Sequence, residues 1–172
     1  RARKLALSFF KKIKKFLKKL LTKLTKCVII NTERERGRDT MINIRIMTID
    51  DYDGIRSLWL KNHETVTNAI DDSRDGIEKY LNRNPTTSFV AENNGKIIGT
   101  IMAGHDGRRG FFHHVFISPD YRGKGIGRKL VDNAMNALEN EGITKVALVA
   151  FTDNELGNGF WDKMGFTIRE DL

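Results

Sequence analysis

The run Arg122-Gly123-Lys124-Gly125-Ile126-Gly127-Arg128 carries the most explicit chemistry in this 172-residue chain. It lies between a strand-like stretch, 111–117, and an amphipathic stretch that begins near Gly125. The first backbone N–H groups of a helix have no partner of their own, and glycines let a ligand approach the main chain. With Arg122, Lys124 and Arg128 alongside, the run predicts a cradle for a phosphate or pyrophosphate. The lysine is followed by Gly rather than Ser or Thr, so this is not a Walker loop, and the glycine spacing is not that of a Rossmann turn. A tight turn that merely needs glycine is the alternative reading of the same residues.

The elements that must position this run can be followed from Met41 onward. Ile42, Ile44 and Ile46 alternate with polar neighbours as a strand does. Thr48 with Asp51 resembles a capped helix start, and Tyr52, Ile55, Leu58 and Trp59 make the apolar stripe of that helix. Asp71, Asp72 and Ser73 offer caps for a second short helix with Ile77, Tyr80 and Leu81 inward, ended before Pro85. Three β-rich segments follow at 88–92, 96–103 and 111–117, separated by Asn94-Gly95 and Asp106-Gly107 turns. A helix from Gly125 to Gly142, a strand at 146–151, a helix at 154–164 and a strand from Phe166 complete the order β-α-α-β-β-β-α-β-α-β. This is an α/β domain with a mixed sheet.

Charge divides the chain sharply. Residues 1–40 hold 14 basic and 3 acidic side chains, net +11, whereas 41–172 hold 16 and 19, net −3. The basic pI is therefore no ground for nucleic-acid binding by the main domain, and no nucleic acid is expected there, since a basic footprint must lie on the domain that docks. Within 1–30 the apolar residues Phe9, Phe10, Ile13, Phe16, Leu17, Leu20, Leu21 and Leu24 fall on one helical face, with lysines opposite. Residues 5–26 thus read as an amphipathic helix suited to an anionic membrane surface, too broken by charge to span it. The alternatives are a solvated or packed extension, or a stretch foreign to the native product that starts at Met41. Residues 31–40 read as a charged linker. A lone cysteine, Cys27, and the absence of paired metal-ligand spacings predict no disulfide, no metal and a cytoplasmic setting.

Over about 41–170 the sequence resembles the GNAT superfamily, the Gcn5-related N-acetyltransferases. Arg122, Gly125 and Gly127, preceded by Pro119-Asp120-Tyr121, match its acetyl-CoA signature. Asn154, Gly157, Phe160-Trp161 and Gly165-Phe166 match a second family motif, in the right order. The resemblance implies a mixed, mostly antiparallel central sheet flanked by helices, with acetyl-CoA as co-substrate. It implies that backbone N–H groups from Gly123 to Arg128, through Lys124, Gly125, Ile126 and Gly127, hold the pyrophosphate. It also implies that the main chain of Val115, Phe116 and Ile117 pairs with the pantetheine arm where the sheet splays, and that Asn154 bonds to that arm. Phe160 and Trp161 either pack along the arm or simply fill the core. The run Gly104 to Gly110 looks like small bacterial members of unassigned acceptor. The family's usual further strand makes the end at Leu172 read as truncation, and a homodimer stays open.

The implied reaction is attack of a neutral amine on a thioester. A Lys-like amine is neutral only about 4 × 10⁻⁴ of the time at pH 7, a penalty of roughly 4.6 kcal/mol, so a base is needed. A backbone N–H of Val115 or Phe116 is the expected oxyanion donor. The chain departs from the family pattern at Trp161, where many members have a Tyr that protonates the leaving thiolate. It departs again at Val149, where members that acetylate ribosomal-protein N-termini have a carboxylate. Candidate bases are His113 or His114 beside the thioester, and Glu92 on a neighbouring strand. Strand alternation lets at most one histidine face the cleft, and the family register favours His114. The acceptor is expected to be a small-molecule amine or a protein Lys, chosen by 62–74 and 106–109. There Asp71, Asp72 and Asp75 either attract a cation or only cap and solvate. An acyl-CoA-binding module with little catalysis is the alternative, motivated by Trp161 and Val149.

Overall fold

A computed structural model describes residues 42–61 and 68–169. The amphipathic helix expected within 1–30, the 31–40 linker, Met41, part of the acceptor loop and the end at Leu172 lie outside the described residues. Strand β1 (Ile42–Ile46) leads through a 3-10 turn (Ile49–Asp51) into helix α1 (Tyr52–Leu60). The turn is fixed as its spacing predicts. The Thr48 N–H donates to Asp51 Oδ2 at 2.9 Å, and the same carboxylate receives Arg45 at 2.7 and 2.8 Å. Helix α2 (Arg74–Arg83) is capped by Ser73, whose Oγ accepts from the Gly76 N–H at 3.1 Å. It turns Ile77 and Leu81 inward.

Strands β2 (Phe89–Asn93), β3 (Lys96–His105) and β4 (Gly110–Ile117) form an antiparallel meander around the Asn94-Gly95 hairpin and the Asp106–Arg109 turn. Helix α3 (Ile126–Asn140) then crosses back, and β5 (Val146–Leu148) pairs parallel to β4. Helix α4 (Glu155–Lys163) follows. The five strands lie in chain order, β1-β2-β3-β4-β5, and each sheet face carries its own core. On one face α3 packs Leu130, Val131, Ala134 and Leu138 against Ala91, Ile98, Ile101 and Phe112. On the other, α1 and α2 pack Ile55, Trp59, Ile77 and Leu81 against Val90, Met102 and Phe116.

Two strand expectations differ from the structure. β5 ends at Leu148 rather than running to Phe151, because it is the sheet edge and leaves β4 there. Val149 and Phe151 are then 85% and 61% exposed. The strand expected from Phe166 does not form among the described residues. Phe166 instead turns its ring onto Phe112 and Trp161, with centroids 6.1 and 5.1 Å away.

Candidate active site

Helix α3 begins without a side-chain cap. Its N-cap is Gly125, with φ +76°, and Gly123 sits at φ +74°. These left-handed angles are open to glycine and strained for side-chain-bearing residues. The first bond into the helix is from the Lys129 N–H to the Gly125 carbonyl at 3.1 Å. The amides of Gly123 to Arg128 donate to no protein oxygen among the described residues, and a Cβ placed on Gly123 or Gly125 would meet nothing within 4 Å. A row of bare N–H groups at a helix start, with open space at Gly123 and Gly125, fits a diphosphate. The flanking cations are anchored at its rim. Arg122 Nε donates to the Ile117 carbonyl at 3.1 Å with its guanidinium over Phe116. Lys124 Nζ donates to the Asp120 carbonyl at 3.1 Å, and Arg128 Nη2 to the Lys163 carbonyl at 3.3 Å.

Beside the cradle the sheet divides. The β4/β5 ladder holds only Gly110–Val146, Phe111–Ala147 and Phe112–Leu148, so His113 to Ile117 have no β5 partner. An aromatic wedge sits at the division. Trp161 meets Phe160, Phe166 and Phe112 at centroid distances of 5.0, 5.1 and 6.3 Å. Phe160 lies 3.4 Å from where a Cβ on Gly127 would be, so the aromatic pair also floors the start of α3. Asn154 caps α4, its Oδ1 accepting from the Gly157 N–H at 2.9 Å.

The histidines break the alternation expected of a strand. A register shift falls between the pairs Thr100–Phe116 and Met102–His113, and His114 takes φ +45°. Phe112, Val115 and Ile117 pack on the α3 face, while Phe116 packs under α1 and α2. His113 reaches Tyr80 of α2 and His114 stacks on Trp59 of α1, centroids 5.8 and 4.1 Å apart. Both rings therefore lie on the helix side, because the bulge inserts one residue into the alternation. The alternation expected to turn them to opposite faces is thereby corrected. His114 Nε2 lies 2.7 Å from Asp72 Oδ1. His113 keeps an exposed flank, yet burial of its imidazole, then the adjacent His114, holds its pKa below the ordinary value.

Glu92 stands two strands from β4, and its Oε2 accepts from Arg45 Nε and Nη2 at 3.1 and 2.9 Å. It belongs to the Arg45–Asp51 cluster that fixes the β1–α1 corner, and the structure does not bring it together with His114. Asp72, read from sequence as a cap or a surface charge, is 4% exposed and bonded to His114. No local pattern announces that pair, since 42 residues separate its members. Among the described residues no group of His, Cys, Asp or Glu is arranged to hold a metal, and no helix is long and apolar enough to cross a membrane.

The model of the Acetyltransferase (GNAT) family matches residues 52–166. An acetyltransferase of Yersinia pestis is 31% identical over 131 residues, which is 76% of this chain and 92% of that protein. PaiA N-acetyltransferase from Thermoplasma acidophilum, solved in complex with coenzyme A, superposes with a TM-score of 0.66 at 19% identity, covering 76% of this chain and 92% of that one. Glucosamine-6-phosphate N-acetyltransferase from Arabidopsis thaliana does so at 0.58 and 25% identity, covering 77% and 95%.

Proposed function

The chain belongs to the GNAT acetyltransferase family, and from that premise we propose that it transfers the acetyl group of acetyl-CoA directly to a primary amine. The observation that carries this reading is the set of amides from Gly123 to Arg128 with no protein acceptor among the described residues, with open space at Gly123 and Gly125, beside the point where β4 and β5 part. In this reading those amides and the rim cations Arg122, Lys124 and Arg128 hold the diphosphate. The free edge of β4 at Val115, Phe116 and Ile117 receives the pantetheine arm as an added strand. Asn154 bonds to the arm through its amide nitrogen while its oxygen caps α4, and Phe160 and Trp161 wall the channel. A backbone N–H of Val115 or Phe116 meets the oxyanion.

His114 is the base, on the α1 and α2 side from which an acceptor would approach. The acceptor in this reading is a small-molecule amine or a Lys side chain, and the setting is a reducing cytoplasm, which a single cysteine in the sequence supports. Residues 5–26 would rest on anionic lipid, which salt-sensitive sedimentation with anionic vesicles would detect. The principal test is a thermal-shift titration with acetyl-CoA, followed by CoA-thiol release with a panel of amines. A binding partner of the folded state raises the midpoint by an amount set by its concentration and affinity. No shift with acetyl-CoA would refute the reading. A shift without thiol release from any amine would reduce the chain to a coenzyme-binding module.

A further inference from the structure

His114 is held from several directions at once. Its Nε2 lies 2.7 Å from Asp72 Oδ1, and its ring stacks on the Trp59 indole at 4.1 Å and 23°. The Trp59 Nε1–H donates to Thr100 Oγ1 at 3.1 Å, and that hydroxyl donates to the carbonyl of His114 itself at 2.9 Å. Asp72 is equally fixed. Its Oδ2 accepts from the Asn68 N–H at 2.5 Å, and its carbonyl accepts from the Tyr52 hydroxyl at 3.1 Å. A carboxylate buried this deeply is rare unless paired. The cap of α2 does not account for it, because Ser73 fills that role.

Three separate elements thus converge on one residue, α1 and the turn before α2 on its imidazole and β3 on its carbonyl. That imidazole stands in a left-handed bulge which costs on the order of 1 kcal/mol for a residue with a side chain. A carboxylate can only accept, so the Nε2 atom carries the hydrogen. Nδ1 makes no bond among the described residues. Among the described residues, Asp72 from the turn and the uncharged indole of Trp59 from α1 lie against the ring, and His113 adjoins it on its own strand.

Resting on the acetyl-transfer reading, we propose that Asp72 is the positioning residue for His114. It fixes the Nε2–H tautomer and so presents Nδ1 to accept a proton from an alkylammonium substrate. The balance runs through one imidazole. The ammonium gives a proton to Nδ1, and the freed nitrogen attacks the thioester carbon. The C–N bond forms, the C–S bond breaks, and the nitrogen loses its surplus proton to water. The imidazolium, its charge balanced by Asp72, returns its proton to the departing thiolate. This supplies the acid that Trp161, with no hydroxyl, cannot. Amines that are protonated at neutral pH are the acceptor class such a base serves.

The test uses the full chain with ¹⁵N-labelled histidine and needs no acceptor for its first arm. Long-range ¹H–¹⁵N spectra at neutral pH are expected to show His114 as the Nε2–H tautomer with a slowly exchanging proton. In Asp72→Asn that proton exchanges faster while acetyl-CoA affinity is unchanged. The second arm uses whichever of Nα-acetyl-lysine methylamide, spermidine or kanamycin gives the highest turnover. Asp72→Asn is expected to lower kcat on the order of 10²-fold without moving KM for acetyl-CoA, and Asp72→Glu to restore part of it. An Nδ1–H tautomer in the wild-type chain, or wild-type kcat in Asp72→Asn, overturns the proposal. If the wild-type chain fails to bind acetyl-CoA, it is the acetyl-transfer reading that falls, and the tautomer still decides the pairing.

Discussion

The two sides of β4 are built on opposite rules. On the α1 and α2 side the polar groups around His114 are bonded to one another, through Asp72, Thr100, Trp59 and Tyr52. On the β5 side the ladder stops after three pairs, and the neighbouring loop leaves its amides from Gly123 to Arg128 without protein acceptors among the described residues. Buried polar groups are costly when unpaired, whereas amides open to solvent can stay bare until a ligand replaces the water. The first side is a fixed device for holding a ring in one orientation. The second leaves its amides unpaired among the described residues, and in the proposed reading these are the hydrogen bonds the coenzyme takes.

That contrast can be broken most forcefully at Trp59, which is 1% exposed and supports the ring from below. Trp59→Ala is expected to cost about 4 kcal/mol in chemical denaturation, a large part of a typical 5–15 kcal/mol total. A loss below about 1 kcal/mol would deny that this side is tightly built. Gly125→Glu attacks the other side. It puts a Cβ at φ +76° and a negative charge in the cradle, and acetyl-CoA affinity by calorimetry should fall roughly 10²-fold, about 2.7 kcal/mol. Ligand-free stability should change less than that, because nothing lies within 4 Å of the new Cβ.

Smaller effects sharpen the picture. Trp161→Ala, at the half-buried aromatic wedge, should cost about 2 kcal/mol or less, well under its counterpart at Trp59. Equal losses at the two tryptophans would erase the distinction between the sides. The smallest effect concerns His113, whose folded-state pKa lies below its ordinary value through burial. Between that lowered value and the unfolded one near 6.5 the unfolded chain binds more protons, so stability rises with pH through this window and is lost as pH falls through it. Urea denaturation of His113→Gln from about pH 5 to pH 7.5 should show a flatter profile than the wild-type chain. An identical profile would show that the ring is solvated in the native state.

Much of this was legible because it is written locally. The glycine turn and the start of α3 at Gly123 to Arg128 need only contiguous residues, so their geometry could be read in one glance at the sequence. The Thr48–Asp51 corner, the Asn94-Gly95 hairpin and the α3 stripe are equally short-range. What escaped depends on tertiary arrangement. The bulge places a histidine, not a glycine, at φ +45°, so no residue type advertised it. Asp72 looked like one of three interchangeable caps, and only folding selected Ser73 for the cap and buried Asp72 against a ring 42 residues away. The apolar run 146–151 reads as one strand, but β5 loses its neighbour at Leu148 because the sheet opens there.

The central claim concerns the bare amides at the start of α3, and it is tested most directly by amide ¹H–¹⁵N spectra of the full chain titrated with coenzyme A. The account predicts that the resonances of Gly123 to Arg128 shift most, saturably, and that Gly125→Glu removes the response. Shifts confined to other residues, with these amides unmoved at saturation, would contradict it.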